Sequence, residues 1–492
     1  MGAILILLLF ALPLLVADPT LTYVINVGSD GNAMIRQIFT ARGSGVTYMF
    51  LPKTERWVVE RAKGSFSWLS HADLPNPFYT NSTLSYRAGK DGRFEIVIRY
   101  NFDYSVLMVG RNAWFMSPLI GAPRDVRVVV DVRLPYFKRI TAYYPKRPIP
   151  LKDGKFEFVI RAEPNGSRVS VNYEMDRRLP DHVFIRAGNG IMVEVRAPRF
   201  YGKFANKIMD ILIGSAPRLR YLFRDLVSPV EVRFYLPETI NLGALGYVIG
   251  EDINVGGRGP IHLNLALTRF VKGYLEVTVL HEYVHKLLAR AGVRANEFTR
   301  WVHEGIADYV SLELAKNLGI NTSRFEEGRE EMMERLKGES LGFLQVWNPR
   351  RPEEEGLYYA GSYYIIRTLA SRYGGLEFIR RFVDEVRKAG GVDSTWDVVE
   401  ALSRAAGEDL KPQFRSWGFI TMPERAVPSP LTTVTAALAM GTALVATLAV
   451  MRGRLRPSGE GYVQCPYCGS SVPRGMTFCP YCGRELEPPA SA

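Results

Sequence analysis

Residues 279–290 read VLHEYVHKLLAR, and the spacing of the histidines in this run decides what the second half of the chain is. His281 and His285 are four residues apart, so a helix places both imidazoles on one face, where they can converge on one ion. Glu282 lies beside them and can face a water molecule at that ion. An H-E-x-x-H run therefore supplies two metal ligands and a general base. The plain alternative is a pair of solvated helix histidines with a neighbouring acid.

The next run, WVHEGIADYV at 301–310, favours the metal reading. Glu304 follows His285 after eighteen intervening residues, enough to end one helix, turn and begin another. A carboxylate there completes a His₂Glu set with one coordination position left for water or substrate, as a catalytic zinc requires. Asp308 lies four residues further on the same helical face and can accept the second N–H of a ligating imidazole. Three of the six histidines (His281, His285 and His303) fall within this window.

H-E-x-x-H, eighteen residues, then E-G-x-A resembles the gluzincin metallopeptidases, with the spacing of the M1 aminopeptidase family. Tyr309 matches the M1 pattern, whereas the acid Asp308 resembles thermolysin. The resemblance covers roughly residues 200–420 and implies a mainly helical, thermolysin-like catalytic domain that hydrolyses peptide bonds. It implies His281, His285 and Glu304 as ligands of a catalytic zinc that activates water, with Glu282 as general base. In M1 enzymes a Tyr donates a hydrogen bond to the tetrahedral oxyanion. The stretch Tyr358-Tyr359-Ala360-Gly361-Ser362 aligns with that motif, so Tyr358 is the candidate and Tyr359 the reserve. A phenol suits the role because it stays protonated near neutrality. Two departures stand out. His303 occupies the place where the family usually has Asn, and no G-A-M-E-N-like motif precedes the metal helix. The run GGRGPIHLNLAL (256–267) stands there as a candidate substrate-pairing edge strand without an acid, which leaves amino- and endopeptidase specificity both open.

Outward from this centre, residues 18–200 read as a β-rich domain. TLTYVINV, RFEIVIRY, DVRVVVDVR, KFEFVIRA and IMVEVRA are short alternating runs between Gly, Asp, Asn and Pro turns. From about Phe200 the period becomes helical, in FANKIMDILIG and PRLRYLFRDLV, and residues 201–420 read as the catalytic domain. The expected fold class is thus α+β and multidomain.

Residues 1–17 hold an apolar run, Ala3 to Val16, of signal-peptide length, before Asp18. A Pro-rich linker (421–430) leads to Leu431–Met451, 21 residues without a charge, long enough for one transmembrane helix. Arg452, Arg454 and Arg456 follow it and place the C-terminus in the cytoplasm, so the expectation is a single-pass membrane protein with its catalytic domain outside. Sequons at Asn81, Asn165 and Asn321 are compatible with that exterior.

All four cysteines lie in the tail, as Cys465-Pro-Tyr-Cys468 and Cys479-Pro-Tyr-Cys482, so no disulfide framework exists elsewhere. Two C-x-x-C turns can present four thiolates to a structural zinc, and residues 460–486 resemble a zinc ribbon suited to a cytoplasmic partner. The formal charge is +12 with pI near 9.4, but Lys and Arg are scattered among acids, which makes nucleic acid an unlikely partner. Only four glutamines occur, a composition that points toward a thermophile. The expected activity is that of a zinc peptidase acting on a peptide or protein. The rival reading is an inactive gluzincin-like receptor that signals through the ribbon.

Overall fold

The structure is a computed structural model that describes residues 19–420, except 75, 77, 240–243 and 350–351, together with strands Tyr462–Gln464 and Ser471–Pro473. The expected signal (1–17), linker (421–430), span (431–451) and all four cysteines lie outside the described residues.

The first half is strand after strand: β1 (Thr20–Val27), β2 (Ala33–Arg42), β3 (Ser44–Pro52), β4 (Trp57–Lys63), β5 (Ser65–Asp73), β6 (Tyr79–Arg87) and β7 (Arg93–Phe102). There follow β8 (Val106–Val109), β9 (Asn112–Met116), β10 (Arg127–Arg133), β11 (Phe137–Tyr144), β12 (Ile149–Pro150), β13 (Lys155–Ile160) and β14 (Ser170–Met175). They form a seven-stranded sheet ordered β12-β13-β10-β1-β2-β7-β4, a four-stranded sheet β11-β14-β9-β8 and a three-stranded sheet β3-β6-β5. In β1, Leu21, Tyr23 and Ile25 are buried and the residues between them are not, as a half-buried strand requires. Strand β2 alternates in the same way along nearly its whole length.

A mixed five-stranded sheet comes next. Its strands are β15 (His182–Gly188), β16 (Ile191–Ala197), β17 (Val230–Tyr235), β18 (Gly246–Tyr247) and β19 (Ile261–Asn264), in the order β15-β16-β17-β19-β18. Helix α1 (Gly202–Phe223) crosses between β16 and β17, which are parallel. The sequence suggests two helical stretches broken at Pro217, but α1 runs straight through it. A helix-interior proline leaves the carbonyl four residues earlier without its donor. Here that carbonyl is Ile213 O, and the Asn189 side chain donates to it at 2.8 Å.

The remaining helices are α2 (Gly250–Asn254), α3 (Leu265–Thr268), α4 (Tyr274–Ala291), α5 (Arg300–Asn317), α6 (Ser323–Arg335), α7 (Pro352–Tyr373), α8 (Leu376–Lys388), α9 (Thr395–Ala406) and α10 (Lys411–Ser416). Helix α9 shows why such segments stop and start where they do. Ser394 accepts a hydrogen bond from Asp397 N at its start, and Gly407 ends it in the left-handed region at φ 77°. The chain divides into two compact units. One comprises Met1–Tyr247, Pro260–Val284 and Val310–Glu326, the other Val248–Gly259, His285–Tyr309 and Glu327–Ala492.

The expected fold class needs correction. The chain is a large β-rich region followed by helices that begin only at Gly202, and among the described residues no helix is long and apolar enough to cross a membrane. The portion expected to be a mainly helical, thermolysin-like domain also carries a mixed sheet, two of whose strands, β15 and β16, precede residue 200. The physical reason is that β16 and β17 pair in parallel across the whole of α1. A pairing of that sequence separation leaves no mark in local periodicity.

Candidate metal centre

Helix α4 carries VLHEYVHKLLA on a stretch whose apolar residues Val279, Leu280, Tyr283, Val284, Leu287 and Leu288 are all fully buried. Burial on that stripe fixes the rotation of the helix, and the H-E-x-x-H side chains take the orientation left to them. His281 is partly exposed, while Glu282, His285 and Glu304 are only 6%, 6% and 5% exposed. One nitrogen each from His281 and His285 and one oxygen from Glu304 all lie within 4.8 Å of one another. His285 Nε2 and Glu304 Oε2 are 3.2 Å apart. Tetrahedral ligands at zinc bond lengths of ~2.0–2.1 Å stand about 3.3 Å from each other, so this pair already has the separation a zinc ion needs. Two imidazoles and a carboxylate are also the donor chemistry zinc prefers.

The other oxygen of Glu304 is held from the outside. Arg300 Nε donates to Glu304 Oε1 at 3.2 Å, and the Arg300 guanidinium stacks 4.7 Å from the Trp347 ring. Burial alone would lower the Arg300 pKa, but the Glu304 charge and hydrogen bond override it and raise it. Glu304 thus has one oxygen anchored and the other turned toward His285, the arrangement by which a second layer of residues orients a metal ligand. Glu304 sits in α5, and the residue after it explains the E-G pair in the motif. A Cβ on Gly305 would lie 2.5 Å from Ser362 O and 2.7 Å from Ile366 Cγ1 of α7. Only glycine lets α5 approach α7 this closely.

Asp308 is 4% exposed and accepts a hydrogen bond from Arg329 Nε at 2.7 Å. Burial works against the Arg329 charge, yet the attraction of Asp308 and the hydrogen bond to it raise its pKa above the usual guanidinium value. Arg329 in turn lies over the Tyr359 ring at 5.2 Å. Tyr359 is within electrostatic reach of both Arg300 and Arg329. Tyr358 packs its ring against Phe343 at 4.8 Å and Trp347 at 5.0 Å and is 8% exposed.

His303, the departure from the family pattern, is buried with its Nε2 3.1 Å from the Val293 carbonyl. A carbonyl only accepts, so Nε2 carries the proton. Burial, followed by the nearby His285, pushes the His303 pKa down to about 3, and the ring stays neutral. Its place is structural, tying the start of α5 to the turn after α4.

Two features at this centre escape a linear reading. The run 256–267 holds β19, which is not an edge strand: β18 pairs antiparallel to it and lies outside it. A Cβ on Gly246 of β18 would meet Thr278 Cγ2 at 2.8 Å and Glu282 Oε1 at 3.1 Å, so the glycine lets the edge strand lie directly over the proposed base. The only sequence signal is the glycine in GALGYVIG, one among many. Arg300 is equally inconspicuous, since an arginine four residues before a carboxylate reads as an ordinary surface pair.

Residues 276–339 match a family described as a protein of unknown function (DUF1570), a stretch that includes all three candidate ligands. Residues 461–486 match a zinc-ribbon domain, which supports zinc binding in the tail that carries the four cysteines. No curated protein matches the chain.

Proposed function

We propose that the chain is a zinc-dependent peptidase whose centre is His281, His285 and Glu304, with Glu282 as general acid–base. The observation that carries the reading is the convergence of the three ligand atoms within 4.8 Å. When bound there, zinc supplies a Lewis acid with a coordination position open for water or a carbonyl oxygen. Glu282, on the same helix and nearly buried, takes a proton from the attacking water and returns it to the leaving amine. Arg300 holds Glu304 in its ligating orientation. The outer edge of β18, over Glu282, offers backbone groups on which an extended peptide can pair. Of the two tyrosines, Tyr359 is the better placed to stabilise the oxyanion, because it neighbours the arginines that hold Glu304 and Asp308. The M1-like reading rests on the eighteen-residue spacing and on these roles.

The test is peptide cleavage with metal analysis on the full chain. Wild type should carry two zinc ions, one at the centre and one in the ribbon. Glu282→Gln should lose about 10²–10⁴-fold in rate while keeping both. A Glu282→Gln protein as active as wild type sinks the mechanism.

A further inference from the structure

Strands β10 and β13 run antiparallel, with Val129 opposite Val159 and Val128 opposite Ile160. Arg127, the first residue of β10, and Arg161, one past the end of β13, are the next positions in that register. Both are exposed and share the outward face with Val129 and Val159. Two cations therefore stand across from each other at the end of the ladder, an arrangement that repels. Thr20, opposite Arg127 in β1, carries no charge to relieve it. The pair lines a cleft of about 810 Å³ together with Arg124, Lys146 and Arg168, against only two carboxylates, Asp125 and Glu163. Among the described residues Arg124, Arg127, Lys146 and Arg161 form no ion pair, with these acids or any other. By contrast, exposed Lys63 pairs with Asp91, and Lys138 and Arg139 share Glu174. Arg168 is half-buried, donates from Nη1 to Ser117 O at 2.6 Å and lies 5.5 Å from the Tyr79 ring. Those contacts hold the side chain without neutralising it.

A concave wall dominated by one sign of charge focuses its field and gathers counter-ions. The volume lies within the roughly 300–1,000 Å³ of small-molecule sites. One carboxylate satisfies one guanidinium, whereas five cations around this volume suit an anion with several charges. Guanidinium forks match phosphate oxygens two at a time. We propose that this cleft binds a diphosphate group, whose oxygens take Arg127 and Arg161 and relieve their repulsion, with Arg124, Lys146 and Arg168 adding positive charge. The site is separate from the zinc centre. The diphosphate is either free or the tail of a nucleotide, whose base stacks on Tyr144, an exposed ring of the same wall.

The experiment is calorimetric titration of the full chain with inorganic diphosphate, orthophosphate and ADP, alongside thermal unfolding. Diphosphate should bind and raise the unfolding temperature, and orthophosphate should bind at least about tenfold more weakly. Arg127→Gln and Arg161→Gln should each weaken diphosphate binding by at least about tenfold. Neither should lower the unfolding temperature of the ligand-free protein, because each removes one of two facing like charges. Lys63→Gln, which removes an exposed cation outside the cleft, should bind like wild type, and so should His281→Ala at the zinc centre. ADP binding no tighter than diphosphate assigns the site to the free anion. ADP binding at least about tenfold tighter assigns it to a nucleotide, and Tyr144→Ala should then remove the advantage. The proposal is overturned if diphosphate does not bind, if orthophosphate binds as tightly, or if both arginine variants bind like wild type. It is equally overturned if Lys63→Gln or His281→Ala weakens binding as much as they do.

Discussion

Replacing Gly305 by Ala adds one methyl group 2.5 Å from Ser362 O, 2.7 Å from Ile366 Cγ1 and 2.9 Å from Ser362 C. The nearest atoms are backbone and cannot rotate away. A carbon–oxygen contact relaxes near ~3.3 Å, so α5 and α7 must separate locally by about 0.8 Å. Overpacking of this kind costs ~1–3 kcal/mol, and against it stands a gain of about 1 kcal/mol from exchanging Gly for Ala within a helix. Because a carbonyl takes the clash, the cost falls at the upper end, and the net loss is about 1–2 kcal/mol. For a unit of this size that lowers the unfolding temperature by roughly 2–8 °C. The displaced residue is the neighbour of Glu304, so zinc affinity at the centre should fall about tenfold as the ligand leaves its position. Gly328, in α6 with nothing within 4 Å of its added Cβ, is the internal control. Gly328→Ala should stabilise by about 1 kcal/mol and leave zinc untouched. Differential scanning calorimetry and competitive zinc titration read both effects. A Gly305→Ala protein that is as stable as wild type, with zinc affinity unchanged, would refute the claim that this glycine sets the place of the third ligand.

Asp308→Asn removes the partner of the largely buried Arg329 and should cost about 2–4 kcal/mol, read by denaturant unfolding; a loss below about 0.5 kcal/mol, the scale of a surface pair, would mean the pair is solvated. Tyr359→Phe should lower kcat by about 10²-fold while Tyr358→Phe, an aromatic packing change, should alter stability more than rate; the reverse order would return the oxyanion role to Tyr358. His262 is half-buried and stacked on Tyr247, and that partial burial, then Arg233, pull its pKa down to about 4. The unfolded chain takes up its proton below about pH 6.5, so this residue's contribution is present above that pH and is lost as pH falls toward 4, up to about 3 kcal/mol in all. His262→Gln should flatten the unfolding temperature across that window, and an unchanged slope would count against a ring held neutral in the fold. Asn189→Ala should cost about 1 kcal/mol by orphaning the Ile213 carbonyl that Pro217 leaves free, and equal stability of this variant in the same denaturant assay would mean water takes the place of the amide.

Local periodicity made much of this chain legible. The alternation in TLTYVINV and AMIRQIFTAR announces half-buried strands, and the four-residue spacing of His281 and His285 announces one helical face, because both signals live within a single element. The grouping of His281, His285 and Glu304 was legible to the same depth: two side chains by helix geometry, and the third by a spacing that resembles a known family. Tertiary packing decided everything that joins distant segments. That β16 pairs with β17 across α1, and that β18 rather than β19 forms the edge over Glu282, depends on hydrogen bonds between strands whose local patterns are equally satisfied by other partners. That Arg300 anchors Glu304 and that Asp308 engages Arg329 follow from which side chains meet, and burial turns ordinary surface residue types into charges with large consequences. The sequence alone determined which residues could serve as ligands. The fold decided how they are held, since orientation is a property of contacts and spacing only of the chain.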